Sequence, residues 1–153
     1  PVGFDHFALP DDPLAIAAKE QRVSRNFQGF TDDDAPVLLG FGASAISRFS
    51  DLIVQNEKRA GPYRNLVGEG CLTAVRGVTI DDVQQLRGQT IQGILCNGRA
   101  RIETDKNRVQ DVLADYERRG IIEWDAADLM ISDEGLPYAR HVAAQFDSVR
   151  GAI

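Results

Sequence analysis

Apolar residues punctuate this chain in short blocks, and their spacing predicts short strands alternating with helices. Val2-Gly3-Phe4-Asp5-His6-Phe7 predicts a short strand that ends in polar groups. Asp12 and Pro13 supply an N-cap and a first-turn proline, and Leu14-Ala15-Ile16-Ala17-Ala18 continues as a helix to about Arg22. Arg25 to Thr31 predicts a short strand or hairpin arm, and Asp32-Asp33-Asp34 a solvated turn. Val37-Leu38-Leu39 then opens an apolar run bounded by turn signals, which predicts a buried strand. Small residues follow in Gly40-Phe41-Gly42-Ala43-Ser44-Ala45, and Ile46-Ser47 closes the run. We read this stretch as the last strand of a larger sheet, with Ile46 near its end facing a ligand. Small residues let a ligand or another backbone approach closely, and tight core packing without a ligand accounts for the same pattern. Leu52-Ile53-Val54 is a further strand-like run, and Gly61-Pro62 is a breaker that places a domain boundary near residue 62.

The second half changes rhythm. Val75-Arg76-Gly77-Val78 predicts a short extended segment. Thr79-x-x-Asp82 resembles a capping box, and Val83, Leu86, Ile91, Ile94 and Leu95 follow at helical spacing until Asn97-Gly98 ends the helix. A second helix is predicted from about Asp105 to Arg119, with Val109, Val112, Leu113 and Tyr116 on its apolar face and Gly120 as its stop. Ile121-Ile122-Glu123-Trp124 and Leu129-Met130-Ile131 predict a hairpin around a four-residue polar turn. A last helix, starting within 132–135, carries Leu136, Ala139, Ala143 and Phe146. Helix, helix, two-stranded wing and helix make a winged-helix-like order, so the chain is expected to divide into residues 1–62 and 63–153.

Composition narrows the class. With 43% hydrophobic and 26% charged residues, the 153-residue chain has the profile of a soluble globular protein. The net charge of −6 argues against nucleic acid and anionic membranes as partners. A winged helix raises DNA binding as a question. Six basic residues between Arg99 and Arg119 are nearly balanced by five acids, so the field that phosphate binding requires is missing. No apolar run is long enough to span a membrane. Cys71 and Cys96 suggest a reducing compartment, the cytoplasm, without a disulfide framework. The chain begins at Pro1 and its only methionine is Met130, so it is expected to be a fragment or a processed product.

Candidate chemistry is sparse. Gly40-x-Gly42-x-x-Ala45 imitates a dinucleotide fingerprint, but Leu52-Ile53-Val54 follows too soon for a crossover helix. Metal binding at Asp32-Asp33-Asp34 is disfavoured, because three consecutive acids cannot all face one ion. His6 and His141 are the only histidines. Neighbours on a strand point to opposite faces, so Asp5 and His6 are not expected to form a dyad. No nucleophile elbow, zinc-binding helix motif or P-loop is present, and two separated cysteines do not make a cluster site.

Four motifs in order carry a family resemblance. These are Gly3-Phe4-Asp5-His6-Phe7-Ala8-x-Pro10-Asp11-Asp12, Arg25-Asn26-Phe27-Gln28-Gly29-Phe30-Thr31, Leu38-Leu39-Gly40-x-Gly42-x-Ser44-Ala45-Ile46-Ser47 and Gln55-Asn56-x-Lys58. Together they resemble oxygen-independent coproporphyrinogen III oxidase, a radical S-adenosylmethionine enzyme of haem biosynthesis. Arg76-Gly77 and Ile94-Leu95-Cys96-Asn97 extend the likeness, which weakens after Gly98.

The resemblance implies an α/β fold: the end of an open (β/α)6 radical-SAM barrel in residues 1–62, then a mostly helical, winged-helix-like C-terminal domain in residues 63–153. It implies S-adenosylmethionine and a [4Fe-4S] cluster as cofactors and coproporphyrinogen III as substrate. The family's cluster cysteines would lie upstream, so the chain alone is expected to be inactive and without a cluster. Ile46 matches a position that contacts S-adenosylmethionine, and Phe27 and Gln28 match positions bordering a second molecule of it. Asp5, His6, Gln55 and Asn56 belong to the motifs without an assigned role. The strands ending at Phe7 and Ile46 would lack their barrel neighbours, and such unpaired sheet edges are expected to favour self-association. A free-standing winged-helix interaction module and a haem-handling relative of the same family are the alternative readings.

Overall fold

The computed structural model describes residues 1–103 and 106–147. Helix α1 (Pro13–Lys19) begins where Asp12 accepts a hydrogen bond from the Leu14 amide at 2.8 Å, as the Asp-Pro pair predicts. Strands β1 (Ser24–Arg25) and β2 (Phe30–Thr31) pair antiparallel. Then come β3 (Ile46–Arg48), β4 (Leu52–Asn56), α2 (Ala60–Gly68), β5 (Ala74–Thr79) and α3 (Asp82–Asn97). The chain continues through β6 (Arg99–Arg101), α4 (Lys106–Arg118), β7 (Ile122–Asp125), β8 (Asp128–Ile131) and the short α5 (Ala139–Ala143), which has a 3-10 turn on either side. The described residues divide into two compact units, one built from residues 1–34 with 86 onward and one from residues 35–85.

The first unit holds the apolar core. Ile94 of α3, Val109 and Leu113 of α4, Ile122 and Leu129 of β7 and β8, and Ala139, Val142 and Ala143 of α5 are all buried together. Antiparallel β6, β8 and β7 form its sheet in that order. A second apolar cluster joins Val2, Ala17, Val23 and Cys96. Gly93 explains how α3 comes so close to the strand after it. A Cβ there would meet the Arg99 carbonyl oxygen at 2.6 Å, so only glycine fits. Gly98 (φ 64°) donates to the Ile94 carbonyl and ends the helix where the sequence places its stop.

The second unit is a three-stranded antiparallel sheet, β3-β4-β5, with α2. Its two buried residues among those described are polar, Ser47 and Asn56. All six residues of β5 are exposed, and so are Val37, Leu38, Leu39, Phe41, Val67 and Leu72. No described helix is long and apolar enough to cross a membrane.

Several expectations need correction. Val2–Phe7 is a tight turn closed by a Val2–His6 bridge, with Gly3 at φ 55°, and not a strand. Residues 37–47 do not form one strand: Leu38 bridges Arg48, the chain turns through Gly40–Ala45, and only Ile46 onward is β3. Every described strand pair is antiparallel. The box opening α3 is made by Asp81 and Gln84, which exchange bonds of 2.8 and 3.0 Å, two residues beyond the Thr79–Asp82 pairing.

Val112 is 46% exposed and leaves the apolar face of α4 to Val109, Leu113 and Tyr116. The expected start of that helix at Asp105 lies outside the described residues. The β7–β8 hairpin turns on Ala126-Ala127 alone, with Ala126 at φ 54°. The last helix breaks into α5 and its two 3-10 turns. Residue 62 falls within α2, while the compact units divide after residues 34 and 85.

Two outcomes follow from this packing. Gly88 of α3 has open space where a Cβ would stand, so Gly88→Ala should stabilise the protein by about 1 kcal/mol through helix propensity. Gly93→Ala should destabilise it, because its Cβ would strike backbone; urea unfolding followed at Trp124 measures both. The thiols should also differ. Burial pushes the Cys96 thiol up to about 11, against a smaller opposing effect from Arg25, while Cys71 is exposed. Ellman's reagent at pH 8 should therefore titrate one thiol in the native protein and the second only after denaturation. Two fast equivalents would contradict the burial.

Candidate functional site

The loop Gly40–Ala45 is assembled from backbone groups that side chains hold in place. Gly42 (φ 107°) and Ser44 (φ 64°) adopt left-handed conformations, so the chain folds back instead of extending. The Asn56 side-chain amide, 6% exposed at the end of β4, donates to the Gly40 and Gly42 carbonyls at 3.2 and 3.0 Å. The Gln55 amide donates to the Ser44 carbonyl at 3.0 Å. The Gly40 N–H donates to Ser47 Oγ at 3.0 Å, and the Gly42 N–H to the Tyr63 hydroxyl at 3.1 Å. The Ser44 N–H donates to the Glu57 carbonyl at 2.9 Å. The carboxyl of Glu57 is itself held below the usual carboxylate range, chiefly by the Arg59 backbone N–H and then by its guanidinium.

This network places Ile46. A Cβ on Gly40 would lie 2.5 Å from the Ile46 carbonyl oxygen, so the loop backbone lies directly on the start of β3. Ile46 pairs with Gln55 across the strands and is half-buried, neither core nor free. Phe41, within the loop, is 88% exposed. Gln55 and Asn56 thus receive a role that their motif did not reveal. The signal was two amides closing an apolar run, a place where a strand would otherwise end in solvent.

Phe27 and Gln28 occupy the tip of the β1–β2 hairpin. The Asn26 carboxamide oxygen accepts from the Gln28 and Gly29 amides at 2.8 and 3.2 Å, which fixes the turn. Phe27 is 51% exposed, and the exposed Gln28 side chain makes no hydrogen bond among the described residues. A free carboxamide beside an open aromatic face fits the edge and the face of a purine. Phe27 and Gln28 belong to the first unit and Ile46 to the second.

Asp5 and His6 do meet, contrary to expectation. The tight turn at residues 2–6 swings both side chains to one side, and His6 Nδ1 lies 2.7 Å from Asp5 Oδ1. The His6 ring stands edge-on to Phe30 at 4.9 Å. A carboxylate on one ring nitrogen orients the imidazole and leaves the other nitrogen for a ligand or a proton.

A metal cluster is a different matter. An iron–sulfur cluster is held by a set of thiolates. This chain has two cysteines, one in each unit, and burial keeps the Cys96 thiol protonated. Among the described residues no group of three His, Cys, Asp or Glu side chains is placed to hold a metal ion. The residues present do not fit a cluster.

The chain is 37% identical over 158 residues to coproporphyrinogen III oxidase, anaerobic 1, of Cereibacter sphaeroides, covering 96% of this chain and 35% of that protein. It is 39% identical over 155 residues to an oxygen-independent coproporphyrinogen III oxidase of the same organism, covering 95% and 34%. The corresponding Escherichia coli protein is 31% identical over 158 residues, covering 96% and 35%. Among solved structures, coproporphyrinogen III oxidase from Escherichia coli, described as a radical SAM enzyme, matches with a TM-score of 0.86 at 30% identity, over 97% of this chain and 37% of that one. No family model matches the chain. The chain spans about a third of the length of the curated relatives it matches. In sequence over nearly its whole length, and in its mixed α/β fold, this chain is a homologue of that third of the oxygen-independent coproporphyrinogen III oxidases.

Proposed function

We propose that this chain is part of an oxygen-independent coproporphyrinogen III oxidase. Such an enzyme oxidatively decarboxylates two propionates of coproporphyrinogen III to vinyls, giving protoporphyrinogen IX for haem biosynthesis. The observation that carries the reading is the fold match to the Escherichia coli enzyme, at a TM-score of 0.86 and 30% identity. The side-chain-built loop that presents Ile46 supports it.

In this reading the chain's residues bind and orient S-adenosylmethionine, which when bound supplies a 5′-deoxyadenosyl radical. Ile46 forms an aliphatic wall against it. Phe27 offers an aromatic face to a second molecule, and the unbonded Gln28 amide reads a polar edge. Asn56 and Gln55 hold the loop that sets Ile46, so they position without touching the ligand. The thiolates for the cluster come from elsewhere in the longer protein, and this chain alone is inactive.

The finer architecture belongs to the same proposal. Residues 1–62 would close the radical-SAM barrel, an assignment that rests on the resemblance alone. Residues 63–153 would form the winged-helix-like domain, supported by the order α3, β6, α4 and the β7–β8 hairpin. The protein works in the cytoplasm and does not take nucleic acid as a partner. The exposed β5, an edge of its sheet, offers unpaired backbone to a second copy.

In the longer protein, Ile46→Ala should weaken S-adenosylmethionine binding by about 1–3 kcal/mol, the worth of one aliphatic side chain, and leave the urea midpoint nearly unchanged. Lost stability with unchanged affinity would make Ile46 ordinary packing. Asn56→Ala should lower both, because two loop carbonyls lose their donor. Anaerobic assay of the longer protein with S-adenosylmethionine and a reductant should yield protoporphyrinogen IX, and a reconstituted protein yielding none would refute the reading. Light scattering of the present chain should show mass rising with concentration; a constant monomer mass would remove the role given to β5.

A further inference from the structure

An open cleft of about 450 Å³ in the first unit lies outside every role assigned so far. Arg25 of β1 lines it, with Ile91 and Leu95 of α3, Arg140 and His141 of α5, and Asp147. Arg25 and Arg140 converge on one aromatic ring. The guanidinium carbon of Arg25 is 5.9 Å from the centre of Phe4 and 5.7 Å from that of Phe30, and that of Arg140 is 5.4 Å from Phe4. Arg22, Arg59, Arg99, Arg101, Arg118 and Arg119 each have an acid within reach. Arg25 and Arg140 have no ion-pair partner among the described residues.

Two cations gathered at one ring repel each other, and the ring's quadrupole offsets that only in part. Among the described residues of the lining, two permanent cations stand with one acid, Asp147. The remainder of the lining is largely apolar, from α3 and α5. A ligand suited to both features has an apolar body and anionic arms. The planar guanidinium fork prefers a carboxylate, which it can bind through two parallel hydrogen bonds.

We infer that this cleft binds the carboxylate arms of an apolar polycarboxylate, with Arg25 and Arg140 as its anchors. Which polycarboxylate rests on the reading under Proposed function: a tetrapyrrole carrying propionates. Arg25 lies on the hairpin whose tip carries Phe27, so one rigid turn would hold a substrate arm and border the cofactor.

The probe is coproporphyrin III, a fluorescent tetracarboxylate, against its uncharged tetramethyl ester in the same dilute detergent. The protein should bind the acid and bind the ester at least about tenfold more weakly, on the scale of a charge-assisted hydrogen bond. Arg25→Gln with Arg140→Gln should weaken the acid by about tenfold or more and leave the ester unchanged. Arg118→Gln, in the α4 pair with Asp115 and not among the residues lining the cleft, should change neither. Circular dichroism checks that the variants are folded; should the double variant unfold, the single Arg140→Gln carries the comparison.

No binding of the acid, equal binding of acid and ester, or equal binding by wild type and double variant each overturns the inference. S-adenosylmethionine affinity and oxidase activity of the longer protein are read in parallel. If these persist while the arginines prove irrelevant, the cleft assignment falls and the proposed function stands. Arginine-dependent binding of the acid by a protein without oxidase activity keeps the cleft and removes the function.

Discussion

The Asn56 side-chain amide is the constraint on which the second unit depends. One carboxamide nitrogen satisfies two carbonyls of a glycine-rich loop, those of Gly40 and Gly42, from a buried position at the end of β4. A buried polar group that is fully bonded specifies geometry, and one left unbonded costs more than the bond contributes. Removing the donor therefore affects more than its own contact. The loop would lose the scaffold that keeps Gly42 and Ser44 in left-handed conformations and Gly40 against Ile46. Ser47, Gln55 and Tyr63 reinforce the arrangement by bonding the same backbone segment from other directions.

The two units solve the folding problem differently. In the first, aliphatic side chains of α3, α4, the three-stranded sheet and α5 exclude water together. Close approach is obtained by glycine at the crossing of α3 and β6 and again at Gly135, where a Cβ would strike the Ile121 carbonyl. In the second, the described buried residues are polar, the aliphatic side chains of β4 are half-buried, and many other apolar side chains are exposed. Directional bonds to the Gly40–Ala45 loop replace bulk burial there.

How much of this was legible in the sequence depended on whether the signal was local. Asp12-Pro13 marked the start of α1, Asn97-Gly98 the end of α3, and Gly120 the end of α4, because caps and stops act over one turn. The stretch at 37–47 misled, because an apolar run followed by small residues reads equally as strand or as folded loop. Only the distant partners Asn56 and Tyr63 decide it. Asp5 and His6 misled for the same reason: strand alternation separates neighbours, while a tight turn unites them. The three motif positions Ile46, Phe27 and Gln28 were singled out by likeness to a family, and periodicity alone would have passed over the last two. The arginine-lined cleft was invisible because Arg25 and Arg140 are brought together by tertiary packing alone.

The polar interior of the second unit also bears on how the protein opens. Amide hydrogen exchange depends on local unfolding, and segments with few buried apolar contacts open most readily. The amides of α3 and α4 behind the apolar core would exchange at the rate of global unfolding. Those of β3, β4 and β5 would exchange through smaller excursions, unless a ligand or another chain surface covers Phe41, Leu72 and the valines of β5. The slowing of exchange in that sheet is then a direct gauge of what the exposed apolar surface binds.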